Sequence, residues 1–553
     1  MAYRPSVDTD QVLLKPETRP VFLASAASSQ NFRARGYQSA PAPTHPEENA
    51  YRHASITKAE DDSYNRHDMV KYPLPARFPI PHGYVHDNGL GSEQVEHCQV
   101  VSQGNGLEVV MANHKPPGTK RGPFKNQEKR QQTAYVRKIG SCIRCRMQRI
   151  RVREATEDIK CEINSDAPDD DEAPCDGCKK ILANSKVHRL PCRRWKITEV
   201  RLFKPGQVKG FEWTRRWKDG TGGQADIGQW DNPEVKSILL SEGYGDGVEL
   251  QVRKFVPQPG DKLARTWVEG GKMKSRRIEP YALVDLDAAK ASYETYLQSG
   301  YIRMCKALLG TQELLWRTYH FAMLRAERPE ITPDERGLIR KTLELWAAVR
   351  LTTKSFEIIG EETLGESRAK GPVPIPPVMG AQIDNILLNQ TLPKLRRETL
   401  ESLQNMTQAK KQRTWLTTYL VTFILLHNVA LITAHDEGYA MKHGMEPLSE
   451  NTHAVSGVGV DNFQSGANIF LSYYHYCNKS VYPFSKDCKD SDLQNLAELD
   501  QQSIDFVRYT RSYAESHKAQ WEDLRAARKY GNDYYFLSQL YEQDWSPQPT
   551  VVD

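Results

Sequence analysis

The chain has 553 residues with 75 basic and 70 acidic side chains, a formal net charge of +5 and 39% hydrophobic residues. That length has room for two to four domains and a sizeable core, but a mean hydropathy of −0.65 excludes a chain packed compactly from end to end. Met1-Ala2-Tyr3-Arg4-Pro5 lacks the apolar run of a secretory signal, which points to a reducing compartment.

Residues 1–110 read as mostly disordered. Pro, Ser, Ala, His and Asn recur there, as in Ala40-Pro41-Ala42-Pro43 and Pro73-Leu74-Pro75, without helical or strand periodicity. A short alternating patch from Val95 to Ala112 is expected to form a strand or two.

Residues 111–198 change character. Between Met111 and Lys160 stand 14 basic residues and four acids. Such a run suits phosphate neutralisation, and its upstream part, Lys115 to Arg130, also reads as a nuclear import signal. The loop from Cys161 to Cys175 is acidic instead, with Glu162, Asp166, Asp169, Asp170, Asp171 and Glu172. It is expected to project away from a polyanion, so that only one side of the module meets DNA.

Six of the ten cysteines fall within this region: Cys142, Cys145, Cys161, Cys175, Cys178 and Cys192. Two pairs have C-x-x-C spacing, which lets one short turn supply two thiolates to a tetrahedral metal. In a reducing compartment such pairs are expected as metal ligands rather than disulfides. Six thiolates cannot fill two separate four-sulfur sites, but they satisfy about two zinc ions when two sulfurs bridge both metals. His188 is a weaker ligand candidate, and Cys98, Cys305, Cys477 and Cys488 show no pairing pattern.

The stretch Cys142-Ile143-Arg144-Cys145-Arg146-Met147-Gln148-Arg149-Ile150-Arg151, followed later by Pro174-Cys175-Asp176-Gly177-Cys178, resembles the fungal binuclear zinc-cluster (C6 type) transcription regulators. The resemblance covers only residues 142–192. It implies that Cys142 and Cys175 bridge the two metals. It further implies that a short helix after Cys145 enters the DNA major groove, with Arg144, Arg146, Gln148, Arg149 and Arg151 as the candidate DNA contacts. Two departures stand out. The interval between Cys145 and Cys161 holds 15 residues where the family has about six, and Val152 stands where the third ligand is expected. Residues Val152 to Lys160 therefore read as an insertion. The interval between Cys178 and Cys192, 13 residues, is also long. Closing the longer first loop costs about 0.8 kcal/mol, small beside zinc binding on the order of 10 kcal/mol. The metal site is expected to survive, with the aim of the arginine helix the more sensitive feature.

Residues 199–284 read as β-rich, with period-two alternation in Val248-Glu249-Leu250-Gln251-Val252 and glycine turns such as Gly220-Thr221-Gly222-Gly223. Arg215, Arg216 and Lys218 around Trp213 and Trp217 either extend a basic surface or form an amphipathic edge strand. Residues 285–545 read as a mainly α-helical regulatory or partner-binding domain. Thr332-Pro333-Asp334-Glu335 is a helix start with a capping box, and the helix after it places Ile339, Leu343 and Trp346 on one face. Gly371 to Pro377 is a rigid break, followed by helical stretches from Ile383 to about Ala434 and from Asp500 to about Arg528. The run Trp415 to Ala434 carries no formal charge, yet Thr417, Thr418, Thr422, His427, Asn428 and Thr433 mark it as a buried core helix rather than a membrane span. The acidic and aromatic C-terminal residues Asp533 to Trp545 fit either an activation segment or local packing.

No phosphate-binding glycine loop, nucleophile elbow or H-E-x-x-H signature is present. The best catalytic candidate, His435-Asp436-Glu437 with His443 and His453, reads as a polar loop after the buried helix, so no enzyme is expected. The expectation is a nuclear, zinc-dependent regulator of double-stranded DNA, with the transcription machinery or a homodimer as further partners and no membrane partner. The alternative is a zinc-stabilised protein-interaction module without sequence-specific DNA binding.

Overall fold

The computed structural model describes Gln127, Arg130 and residues 140–148, 178, 192–204, 216, 227–269, 272–442, 460–478 and 482–547. The expectations for residues 1–110, all of the import signal but Gln127 and Arg130, the acidic loop, Trp213, Trp217, His188, His443, His453 and Cys98 lie outside these residues. Among the described residues the C-terminal part is mainly helical, with a small sheet at its start.

Helix α1 (Ile143–Gln148) is followed, among the described residues, by Cys178 and an extended strap over residues 192–204 with a single 3-10 turn at Ile197–Glu199. Strands β1 (Trp230–Ser241), β2 (Val248–Phe255), β3 (Ala264–Glu269), β4 (Lys272–Arg277) and β5 (Tyr281–Leu283) come next. β3 and β4 form a separate antiparallel pair. The larger sheet has the order β5-β2-β1-β6-β7, all antiparallel. Its last two strands, β6 (Glu357–Ile358) and β7 (Val373–Pro374), arise within the helical stretch, so strand pairing ties residues on both sides of position 284 into one sheet.

The alternation of β2 is visible in its burial: Val248, Leu250 and Val252 turn inward beside Ile238 and Leu240 of β1. On the other face Ser237 donates to Glu249 at 2.6 Å. Pro233 has no N–H for the ladder, and the register breaks between Trp230 and Val235 around it. Gly247 ends the β1–β2 connection at φ +93°, and a Cβ there would lie 2.6 Å from the Leu240 carbonyl oxygen.

Helices α2 (Leu286–Leu309), α3 (Glu313–Glu327) and α4 (Pro333–Thr352) precede β6, and α5 (Pro377–Asp384), α6 (Leu392–Ala409) and α7 (Trp415–Lys442) follow β7. A π turn at Asn385–Thr391 joins α5 to α6. Then come α8 (Val460–Cys477), α9 (Asp490–Ala497), α10 (Gln501–Ala526) and α11 (Asp533–Leu537). Asp285 caps α2 by accepting from Asp287 N and Ala288 N, each at 2.9 Å. Thr332 caps α4 in turn, its hydroxyl accepting from the Glu335 N–H, while the Glu335 side chain takes other partners than the Thr332 backbone: one carboxylate oxygen accepts from the Thr332 hydroxyl at 2.8 Å and the other from Thr417 of α7, also at 2.8 Å. Ile339, Leu343 and Trp346 are all buried.

α7 is the central helix, packed against α3, α4, α6, α8 and α11, and the apolar window it carries is 94% buried. Its polar residues are interior partners. His427 Nδ1 pairs with Tyr319 OH at 2.8 Å, Thr418 and Thr433 donate to carbonyls one turn back, and Asn428 bridges Arg350 and the strap. Two expectations are corrected here. His435, Asp436 and Glu437 are helical, because α7 runs on to Lys442, and Asp436 is buried in an ion pair with Lys204 of the strap rather than exposed in a loop. Arg216 adds nothing to a basic surface: it grips Asp261 with both arms of its fork, at 2.8 Å, and donates to the Ile227 and Val256 carbonyls.

The C-terminal acidic and aromatic residues pack locally. Tyr535, Phe536, Leu537 and Trp545 are buried, and the Trp545 indole N–H donates to Gln539 at 2.8 Å. Cys305 and Cys488 are buried and Cys477 is exposed.

Candidate metal centre

The centre is built where α1 begins. Cys142 sits just before the helix and Cys145 within its first turn, so one turn brings both sulfurs to the same side. The Cys145 backbone N–H points at Cys142 Sγ at 3.4 Å, a donor that stabilises a thiolate. Cys178 reaches the same place from its own C-x-x-C pair: the Cys142 and Cys178 sulfurs lie 3.7 Å apart, and the sulfurs of Cys142, Cys145 and Cys178 all fall within 4.8 Å of one another. Cys142 and Cys145 are each only 1% exposed, and Cys178 and Cys192 pack beside them.

Two sulfurs on a tetrahedral zinc at about 2.3 Å stand about 3.8 Å apart. The Cys142–Cys178 separation matches that spacing and is far longer than a disulfide of about 2 Å. The donor set therefore fits a thiolate-bound metal. Cys161 and Cys175 lie outside the described residues.

Of the predicted DNA contacts, Arg144, Arg146 and Gln148 lie on α1, whereas Arg149 and Arg151 lie outside the described residues. Arg144 directs its guanidinium at Cys178 Sγ at 3.8 Å, placing fixed positive charge beside a thiolate. Arg146 turns the other way. Its guanidinium donates to the Trp195 carbonyl at 2.6 Å, the Ser141 carbonyl at 2.9 Å and the Tyr473 hydroxyl of α8. Burial pushes the Tyr473 phenol up, with Arg146 opposing the shift. The basic run marks Arg146 as an arginine, but nothing local in the sequence signals these acceptors.

Ile143 and Met147 enter the main core with Ile197, Val200 and Leu202 of the strap. The strap is itself pinned: Arg396 of α6 donates to the Val200 carbonyl at 2.7 Å and the Thr198 carbonyl at 2.9 Å, and Asn428 to the Leu202 carbonyl at 2.9 Å. Gly466 of α8 permits the approach, since a Cβ there would stand 2.8 Å from a Val200 methyl. Sequence reasoning missed Tyr473, Arg396 and Asn428 as supports of the centre.

The model of the KpeA transcription factor family matches residues 203–540, from the end of the strap through the last helix. A satratoxin biosynthesis SC3 cluster transcription factor, SAT20 of Stachybotrys chartarum, is 23% identical over 430 residues, covering 74% of this chain and 56% of its own length. Transcription factor kpeA of Aspergillus oryzae is 23% identical over 328 residues, 56% of this chain and 40% of its own length. The chain thus spans about half the length of these curated relatives. No solved structure matches it. With more than half of its residues matched by the family model, the chain belongs to the KpeA transcription factor family.

Proposed function

We propose that this chain is a nuclear, zinc-dependent regulator of transcription that binds double-stranded DNA through residues 111–198. The observation that carries the reading is the 3.7 Å approach of Cys142 and Cys178 sulfurs from two separate C-x-x-C pairs, at tetrahedral-zinc spacing. In this reading Cys142, Cys145, Cys161, Cys175, Cys178 and Cys192 hold about two zinc ions, with Cys142 and Cys175 bridging. The names of the family and of its two fungal relatives supply the transcriptional setting.

The groove-reading role falls to Arg144, Gln148, Arg149 and Arg151. Arg146 is withdrawn from it, because three internal acceptors already take its guanidinium. Residues 285–545 act as the regulatory or partner-binding part. DNA-site selection with the full chain, with and without a chelator, tests the reading. Enrichment of one site that disappears on chelation is expected. Zinc bound without any enriched site would favour a zinc-stabilised protein-interaction module instead.

A further inference from the structure

We infer that the metal centre is docked onto the helical domain by Arg146, which acts as a positioning residue, so that metal occupancy is felt by the strap and α8. The inference rests on the zinc reading of the six cysteines and extends it to a junction that the cysteine pattern does not contain.

At 100° per residue, Arg146, Ile143 and Met147 fall within an arc of about 100° on α1, with Arg144 and Gln148 on the other side. The first face is entirely committed inward. Ile143 and Met147 are buried in the main core, and α1 packs on both α6 and α8. Between the two apolar side chains, Arg146 joins three parts of the chain at one point: its own turn at Ser141, the strap at Trp195 and helix α8 at Tyr473. Tyr473 completes the junction by donating to the same Trp195 carbonyl at 3.0 Å. A planar guanidinium reaches several acceptors in one plane, a geometry that lysine cannot reproduce.

The metal enters through the length of α1. A helix of six residues is far below the roughly 12–15 residues at which an isolated helix becomes even marginally stable. What holds this one is the core packing on one face and, on the other, ligation of Cys142 and Cys145 at either end of its first turn. Removing the metal takes away one of the two clamps. The turn then frays, the Arg146 fork loses its geometry, and the strap and the facing turn of α8 lose a shared partner. Orientation of the reading face relative to the helical domain is thereby set by the metal rather than by a flexible tether.

Amide hydrogen exchange of the full chain, loaded with zinc and then chelated, tests this, with bound zinc measured on the same samples. In the wild-type protein chelation is expected to raise exchange in residues 195–202 and 470–474. Arg146→Ala is expected to keep its zinc but to show the raised exchange already in the loaded state, so that chelation adds little. Tyr473→Phe, which removes one acceptor without opening a cavity, is expected to fall between the two. Zinc bound with no metal-dependent change in either segment overturns the docking inference and leaves the zinc reading standing. Full metal-dependent protection in Arg146→Ala overturns it as well. Absence of bound zinc in the wild-type chain overturns both.

Discussion

Arg146 and Tyr473 are separated by 327 positions in the sequence, yet they share a hydrogen bond and both donate to one carbonyl, that of Trp195. A residue from the cysteine-rich segment and one from a late helix thus converge on the strap between them. The helical domain is therefore a structural support of the candidate metal centre, and changes deep within it should be felt there.

Asn428 is the first such support. It accepts from buried Arg350 at 2.8 Å and donates to the Leu202 carbonyl at 2.9 Å. Asn428→Ala leaves both groups buried and unpaired, and a loss of about 2–3 kcal/mol in denaturant unfolding is expected. A loss within experimental error of wild type would mean that the strap is not held this way.

Glu335 ties the start of α4 to α3 and α7. Its Oε1 accepts from Thr417 and lies 3.6 Å from the Arg325 guanidinium, which is also buried. Glu335→Ala should cost about 3 kcal/mol, because the guanidinium is left without its counter-charge. Glu335→Gln keeps an acceptor toward Thr417 and can donate to the Thr332 hydroxyl in place of accepting from it, so it should cost less; equal losses would contradict the charge argument.

His475 gives the fold an acid-sensitive element. It stacks on Trp545 with ring centroids 5.0 Å apart and pairs with the Gln539 carbonyl at 2.8 Å. Burial pushes its pKa down to about 4, with the Gln539 bond opposing the shift. The unfolded chain, with an ordinary histidine near 6.5, binds the proton first on acidification. The stabilisation is therefore complete above about pH 6.5 and is lost progressively toward about pH 4, on the order of 3 kcal/mol. His475→Gln should flatten that part of the stability–pH curve; an unchanged slope would assign it to other groups.

DNA binding should be steeply salt-dependent. Changing Arg149 and Arg151 together to Ala is expected to weaken binding and to lower the log–log salt slope by about 0.9 for each phosphate that is no longer neutralised. Deleting residues 152–160 should leave zinc content intact and retain or improve DNA binding. Loss of metal on that deletion would make the segment part of the site.

What the sequence reveals here is mostly local. Thr332 announces its helix because capping depends on neighbours within three residues. The alternation of Val248, Leu250 and Val252 declares an inward face, and the threonines of α7 identify a core helix by needing partners that a membrane lacks. Pairings between distant residues leave no such trace. β6 and β7 have two residues each, too short for any period; β6 joins the sheet through β1, and β7 through β6. Arg216 looks like surface charge until Asp261, 45 positions on, supplies its counter-ion. His435 and Asp436 read as a polar loop after the buried helix, but α7 continues through them and Lys204 pairs with Asp436 from the strap. In the candidate site the spacing points to the cluster that Cys142, Cys145 and Cys178 form, whereas it gives no sign of the inward turn of Arg146, because its acceptors lie on the strap and on α8.

The most direct test is the zinc content of the purified full chain together with its Cys142→Ser, Cys161→Ser and Cys178→Ser variants. About two zinc ions per chain are predicted, with metal lost in each variant. A chain without zinc, or one that holds a single ion unchanged when Cys161 is replaced, would contradict the six-cysteine centre.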